Sequence, residues 1–542
     1  MLVNGVGMTL SGFTRGTDLR VAQPAGKGED GGFTFQVGRS MMRKRERSAG
    51  NRQSHVTYGA EQLEKRMLLS SAIAAFAPQV TFGAGTQTRS VTTADVNGDG
   101  KLDLVVANAG GNSLSVMLGN GNGTFGGQSV FLVGSSPYSV TTADVNRDGR
   151  VDLIASNNGG NSVSVLLGNG NGTFLGQQTF GAGSQARFVA VADVNGDGKP
   201  DVVVANYGAG TVSVLLGNGN GTFAGQQRFS AGAQAASISI SDLNRDGKLD
   251  LAVANKSANT VSVLLGNGNG SFGNRATFGA GNLPFSVTSG DVNGDGKLDL
   301  VVAEESSNSV GVLLGNGNGT FGGQTTFGVG TVPVAVVISD INGDGKLDIA
   351  AANYSSNSVS VLLGNGNGSF QNQKTFGVGT APFNIAAADV NRDGRVDLLV
   401  ANGGSGGAGV LVGDVPPSVV SINRANPAGS ATIAASVTYT VSFSEPVTGV
   451  DATDFSLALN GVTAGLPVVV SGSGGAYAVT VNGISGSGTL GLNLVDDGSI
   501  KNASGNPLQN GGVASFQAQR TIASGFATGP SPYSSVIFFP AA

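Results

Sequence analysis

A nine-residue stretch, Asp95-Val-Asn-Gly-Asp-Gly-Lys-Leu-Asp103, returns six more times, beginning at Asp144, Asp193, Asp242, Asp291, Asp340 and Asp389. Each copy starts 49 residues after the one before, with no insertion between them. Such strict self-similarity means that each repeat is one supersecondary unit that stacks on its neighbours. It overrides the three or four separate domains that 542 residues would otherwise suggest.

The third repeat gives the local structure of all of them. Residues 188–193 form an apolar strand that runs into the nine-residue loop, and residues 201–205 form a second strand, apolar enough to be buried on both faces. Residues 211–216 and 226–229 supply a third and a fourth, joined by turns rich in Gly, Asn and Ser. Four antiparallel strands in a unit of roughly 40–50 residues describe a propeller blade. Helix is not expected, because no window carries a 3.6-residue period and β-branched residues dominate. Although 90 residues are Gly, they sit at fixed phases between strands, so the array is ordered and not a linker.

The loop has the chemistry of a hard-cation site. Every copy has Asp at positions 1, 5 and 9, Asn at position 3 and Gly at position 6. Side-chain oxygens can converge on one ion, the position-7 carbonyl can add a ligand, and Gly allows the sharp turn. The expected ligands are Asp95, Asn97, Lys101 (carbonyl), Asp99 and Asp103 in the first loop, and Asp144, Asn146, Asp148, Arg150 (carbonyl) and Asp152 in the second. The third and fourth offer Asp193, Asn195, Asp197, Lys199 and Asp201, then Asp242, Asn244, Asp246, Lys248 and Asp250. The fifth and sixth offer Asp291, Asn293, Asp295, Lys297 and Asp299, then Asp340, Asn342, Asp344, Lys346 and Asp348. Asp389, Asn391, Asp393, Arg395 and Asp397 complete the seventh. Three carboxylates in one short loop repel unless a cation offsets them, and an all-oxygen flexible loop suits calcium better than magnesium. Up to seven structural Ca²⁺ ions are therefore expected. An EF-hand is disfavoured, because position 12 of the first copy is the apolar Val106 and no helix flanks the loop.

These loops hold 21 of the 35 acidic residues, three in each, so the net charge of −5 depends on metal occupancy and says little about partners. Cys is absent, which removes disulfides, thiol catalysis and zinc-thiolate sites. The single histidine, His55, lies outside the repeats, so Ser-His or His-metal chemistry cannot be built there. Trp is absent too, which argues against the usual aromatic platforms for sugars. Glu304 and Glu305 form the one acidic pair of the array outside the loops and read as solvated. The Gly-Asn-Gly-Asn-Gly-Thr runs lack a following helix and a Lys-Ser/Thr pair, so they read as hairpin turns and not phosphate cradles. Asn122-Gly-Thr124 and its copies match glycosylation sequons, but turn chemistry explains the same positions.

Ring closure can be read from two phenylalanine phases. One occurs at 82, 131, 180, 229, 278, 327 and 376, the other at 125, 174, 223, 272, 321 and 370. Stepping back one period from Phe125 reaches Phe76, whereas stepping forward from Phe370 reaches Val419, where the pattern has ended. The segment 76–82 is thus an outer strand expected to complete a last blade built from residues 383–413, removing the open edge.

At this point the seven units resemble FG-GAP/VCBS repeats, the family that forms the seven-bladed propeller of integrin α-subunit heads and of many bacterial surface proteins. The resemblance covers residues 75–414 and implies that the Asp-rich loop joins the first two strands of each blade and binds calcium. Departures are mild: Arg147, Arg245 and Arg392 at position 4, and Pro200 at position 8. From Val415 the period stops, and residues 415–520 alternate apolar and polar in short runs, as a β-sandwich does. Residues 442–455 resemble bacterial immunoglobulin-like domains of cell-surface proteins.

Residues 1–74 read as a disordered region ending in an atypical export signal. Residues 1–40 are disordered or an upstream mis-start, with Met41 or Met42 as an alternative start, followed by the basic Arg43-Lys44-Arg45. An apolar stretch over residues 67–77 follows, and cleavage at or before Ala74 would spare Phe76. A disordered basic arm is the other reading. Leu63-Glu-Lys-Arg-Met-Leu-Leu-Ser70 is similar to the LExRxLLS-type N-terminal motif of secreted planctomycete proteins. Residues 521–542 are a tail without assignment.

The expectation is an all-β chain, a seven-bladed β-propeller followed by an immunoglobulin-like β-sandwich, extracellular or at the cell surface and monomeric. It would act as a non-enzymatic adhesion or binding scaffold. The rim opposite the loops, where the repeats differ most, would meet a protein or a glycan; neither nucleic acid nor a membrane span is expected. The divergent positions there are Tyr138, Arg187, Phe188, Tyr207, Lys256, Phe285, Glu304, Glu305, Tyr354 and Phe383. Alternatives are a carbohydrate-binding lectin, or a polysaccharide lyase or hydrolase if Tyr207, Arg187 and Glu304 meet in one cleft.

Overall fold

The computed structural model describes residues 75–414, 417–427, 432–502, 506–508 and 521–522. The expected N-terminal region and export signal, and nearly all of the tail, lie outside these residues.

Each repeat folds as four antiparallel strands in chain order. In the third they are Ala186–Ala192, Asp201–Asn206, Thr211–Leu215 and Gln227–Ser230. Burial grades across the blade. All six residues of Asp201–Asn206 are buried, while the outermost strand is largely exposed. A run such as Val202-Val-Val-Ala205 is stable there because both faces of the sheet pack on another blade. Val163 and Val165 of the second blade share one cluster with Val202, Val204 and Leu215 of the third. Burying such side chains stabilises by about 1.5–3 kcal/mol each.

Seven such sheets form, and the seventh is completed from the other end of the array. Val80–Gly83 pairs with Gly407–Leu411, which continues to Asp397–Asn402 and Pro382–Ala388. Ala75–Phe76 pairs with Gly413–Asp414. The two phenylalanine phases meet between blades as T-shaped pairs: Phe82–Phe125, Phe131–Phe174, Phe180–Phe223, Phe229–Phe272, Phe278–Phe321 and Phe327–Phe370, with centroids 5.1–5.3 Å apart. The seventh pair is Phe376–Phe76 at 5.0 Å, so Phe76 takes the place of the turn phenylalanine that the last repeat lacks. Gln79 likewise stands one period before Gln128, and its side chain accepts from the Gly379 amide at 2.8 Å.

After the array come two sheets around one core. Val419–Asn426, Val437–Thr448, Val469–Val481 and Lys501–Asn502 make the first. Phe455–Thr463, Ser485–Leu494 and Thr521–Ile522 make the second, so the β-sandwich reaches two residues into the segment read as tail. Val437 to Phe443 alternates buried and half-buried, and Tyr439, Val441 and Phe443 meet Leu490, Leu492 and Leu494 in the shared core. Asp414 ties the sandwich to the last blade, accepting from Asn502 at 3.0 Å and Asn506 at 2.6 Å. No helix among the described residues is long and apolar enough to cross a membrane.

Candidate functional site

In every blade the nine-residue loop joins the first and second strands, and its own amides organise it. In the first loop, Asp95 Oδ1 accepts from Gly98 N at 2.7 Å and Asp99 N at 3.1 Å, and Oδ2 accepts from Gly100 N at 2.7 Å. Asn97 Oδ1 shares the Asp99 amide at 3.0 Å. Positions 1, 3 and 5 are therefore drawn together around one peptide group. The Lys101 backbone amide and then its ammonium hold the Asp99 carboxyl below the usual carboxylate range. That ammonium lies 3.1 Å from Asp99 in an exposed pair that solvent screens.

Position 9 is placed differently. Asp103 is fully buried, with Oδ2 accepting from Val96 N at 2.8 Å and Oδ1 from Gly119 N at 2.8 Å. It pins the loop to the turn after the third strand. Burial pushes its carboxyl up against those two bonds, and in the sixth and seventh blades Asp348 and Asp397 are pushed up to about 6. The loops also join blades: Gly172 N donates to Val96 O at 3.1 Å, and Gly221, Gly270, Gly319 and Gly368 do the same one blade further on. The side chains of Asp95, Asn97 and Asp99 offer oxygen donors only, a chemistry that fits a hard cation, although Asp454, Asp496 and Asp497 of the sandwich are the only three carboxylates whose oxygens come within 4.8 Å of one another among the described residues. Where the other loops have Gly at position 4, Arg147, Arg245 and Arg392 take φ of 62–64°, so the left-handed turn survives the substitution. The sequon in the next turn is internally bonded, Thr124 Oγ1 donating to Asn122 Oδ1 at 2.6 Å.

The opposite rim is shaped by a bulge that recurs in all seven innermost strands. The register slips between Thr88 and Ser90, and at the same phase in each later blade. Two residues before each bulge the backbone is left-handed, with φ from 50° at Ser136 to 59° at Val332. The bulged residues are Arg89, Tyr138, Arg187, Ala236, Phe285, Val334 and Phe383. Five of them converge across the ring, whose blades the inner strands bring together. Tyr138 and Phe285 stack edge-on against Phe383 at 5.3 and 5.6 Å. The Arg89 guanidinium lies 4.2 Å from the Phe383 centroid. Arg187 lies 4.6, 4.2 and 4.2 Å from the rings of Tyr138, Tyr207 and Phe285, and donates to the Tyr138 hydroxyl at 2.5 Å. Burial pushes the Tyr138 phenol above its ordinary value, the nearby arginines acting against it.

Of the divergent positions expected here, Tyr138, Arg187, Phe285 and Phe383 enter this cluster, and Tyr354 stacks on its edge at 6.0 Å. Phe188 does not belong to the rim, because the bulge turns it into the core between blades three and four. Arg89 and Val334 were missed, although stepping by one period from Tyr138 reaches Arg89. Beside the cluster, Gln185, Tyr207, Gly208, Gly210 and Gln234 line a cavity of about 360 Å³, with Tyr207 donating to Gln234 at 2.8 Å.

The acidic pair is not a solvated one. Glu305 pairs with Lys256 at 2.5 Å, and Glu304 is fully buried where six other blades have a buried Asn. Glu304 accepts from Ser309 Oγ at 2.6 Å, from Gly281 N at 3.2 Å and from Gln324. A Cβ at Gly311 would overlap Glu304 and Gln324, which explains why Gly replaces the Ser found there in the first blade. Tyr207, Arg187 and Glu304 therefore do not share a cleft. Burial raises the Glu304 pKa, so the native state holds that proton more tightly than the unfolded chain. Stability from this residue falls as pH rises from the unfolded value through the raised one. Glu304→Gln removes that loss, so its melting temperature relative to the parent is expected to rise between pH 4 and pH 8; a difference flat across that range would contradict the assignment.

A family model described as FG-GAP-like repeat matches seven overlapping segments: 72–106, 95–155, 144–204, 193–253, 242–302, 291–351 and 340–400. No match was found among curated proteins. Among solved structures, the chain is similar to BBS1N in complex with ARL6DN, soaked with lead, at 13% identity and a TM-score of 0.47, covering 63% of this chain and 97% of that one. It is also similar to a catalytically inactive virginiamycin B lyase from Staphylococcus aureus with quinupristin, at 13% identity and a TM-score of 0.43, covering 62% and 99%. Likenesses this distant carry no argument about activity.

Proposed function

Since the chain belongs to the FG-GAP-like repeat family, we propose that it is an exported, calcium-stabilised binding scaffold that works outside the cell without catalysing a reaction. The observation that carries this reading is where the seven blades differ. Their bodies, metal loops and turns repeat closely, but the bulged position varies from Arg through Tyr and Phe to Ala at seven equivalent places on one rim. A rigid ring with chemically individual residues at one mouth suits recognition by loops on a fixed frame. Calcium is supported by the oxygen donors at positions 1, 3, 5 and 7, and export by the basic run at residues 43–45 followed by the apolar stretch. The immunoglobulin-like character of the sandwich, supported by residues 442–455, would suit a surface protein.

A glycan is the favoured occupant of the cavity beside Tyr207. Two glutamine side chains offer donors and acceptors to hydroxyls, and one tyrosine ring offers an apolar face, with Arg187 stacked against that ring. The test is a glycan array probed with the calcium-loaded chain and with Tyr207→Ala and Gln234→Ala variants. Binding is expected to fall by about tenfold or more in each, equal to about 1.4 kcal/mol, with melting temperatures little changed. Glycan binding indifferent to both substitutions, or none at all, would contradict this reading.

A further inference from the structure

Three carboxylates meet in the sandwich, far from the seven loops in sequence. Asp454 ends the short 3-10 turn Ala452–Asp454, which leads into the second sheet, and Asp496 and Asp497 follow the strand Ser485–Leu494. One oxygen from each lies within 4.8 Å of the others, the only such group of three acidic or other metal-ligating side chains among the described residues. Asp454 is fully buried, Asp496 is 5% exposed and Asp497 is exposed.

Among the described residues, this cluster is offered amides and one hydroxyl but no positive charge. Asp454 accepts from Asp451 N at 2.8 Å and Ser499 Oγ at 3.3 Å, Asp496 Oδ1 from Gly498 N at 2.9 Å and Ile500 N at 3.2 Å, and Asp497 from Ser499 N at 3.0 Å. Asp496 Oδ2 is buried with no hydrogen-bond partner among the described residues. None of the ion pairs among the described residues involves the three aspartates. Two buried carboxylates side by side, one with an idle oxygen, are unfavourable unless a cation offsets them.

We infer that Asp454, Asp496 and Asp497 bind a calcium ion of their own, separate from the propeller loops. Oxygens that share a calcium at about 2.3–2.6 Å stand at most about 5 Å apart, which the observed spacing satisfies. The idle Asp496 oxygen becomes a ligand, and the exposed Asp497 leaves room for water to complete the shell. The ion fastens the crossing between the two sheets, where Val495 N donates to Asp454 O at 2.6 Å and Ser499 Oγ to Gly449 O at 3.0 Å.

The test counts calcium bound to the full chain by equilibrium dialysis, for the parent and for Asp496→Asn and Asp497→Ala. All seven propeller loops are intact in each protein, so a difference of one ion per chain is readable whether or not those loops are filled. One ion fewer in Asp497→Ala, whose exposed side chain makes misfolding the smaller concern, supports the site, as does the same loss in a folded Asp496→Asn. Crystals of the parent grown in calcium are expected to give an anomalous peak between the three carboxylates. Equal ion counts in Asp497→Ala and the parent, with no peak there, would overturn the inference.

Discussion

Deleting residues 1–83 is expected to stop the propeller from closing, whereas deleting residues 1–74 is expected to leave it intact. The first deletion removes Val80–Gly83, exposing the full edge of Gly407–Leu411, and removes Gln79 from the Gly379 amide. It also strips Phe376 and Phe125 of their partners Phe76 and Phe82. Losing the buried Phe76 costs about 3–5 kcal/mol, and the half-buried Phe82 and a whole strand go with it, against a typical domain stability of about 5–15 kcal/mol. A bare central-type strand is in addition a template for intermolecular pairing. Size-exclusion chromatography and circular dichroism of chains starting at 75 and at 84 check this; a monomeric, cooperatively melting chain from residue 84 would contradict it. Phe76→Ala alone is expected to cost about as much as Phe223→Ala, since both occupy the same phase of the Phe belt.

Asp201→Ala is expected to destabilise more than any exposed loop substitution, by about 3–5 kcal/mol. Its carboxylate accepts from Val194 N at 3.0 Å and Gly217 N at 2.7 Å, and both amides are buried. Each donor left without a partner costs about 1–3 kcal/mol, and the loop loses its anchor to the third-strand turn at the same time. Asp197→Ala, by contrast, removes an exposed, solvent-screened carboxylate paired with Lys199 at 3.0 Å and is expected to cost far less than Asp201→Ala in the absence of calcium. Urea unfolding of both variants in chelator separates the two roles. Equal losses would mean that position 9 is not the structural pin.

Periodicity made much of this legible in advance. The four-strand blade, the loop and the completion of the last blade by the segment containing Phe76 all follow from arithmetic on one 49-residue phase. The opposite rim was harder, because phase alone does not reveal a register slip. Without the bulge, Phe188 and Arg187 are equally good rim residues; with it, Arg187 joins the axial cluster and Phe188 goes into the core. Glu304 was misread because charge suggests solvent, although its phase is that of a buried Asn in six other blades. The Asp454 cluster gave no signal at all, since the sandwich has no repeat to compare against and the residues are joined only by the fold.

The most direct test of the account is thermal unfolding of residues 75–542 in millimolar calcium and in chelator, with bound metal counted on the same sample. A ligand that binds only the folded state raises stability by mass action, and extracellular calcium modules typically bind at roughly 10⁻⁴–10⁻³ M. A large calcium-dependent rise in melting temperature, with about seven propeller ions per chain, is the expected result. An unchanged melting temperature with no metal bound would mean that the loops are held by their own amides alone, and the claim of a calcium-stabilised ring would fall.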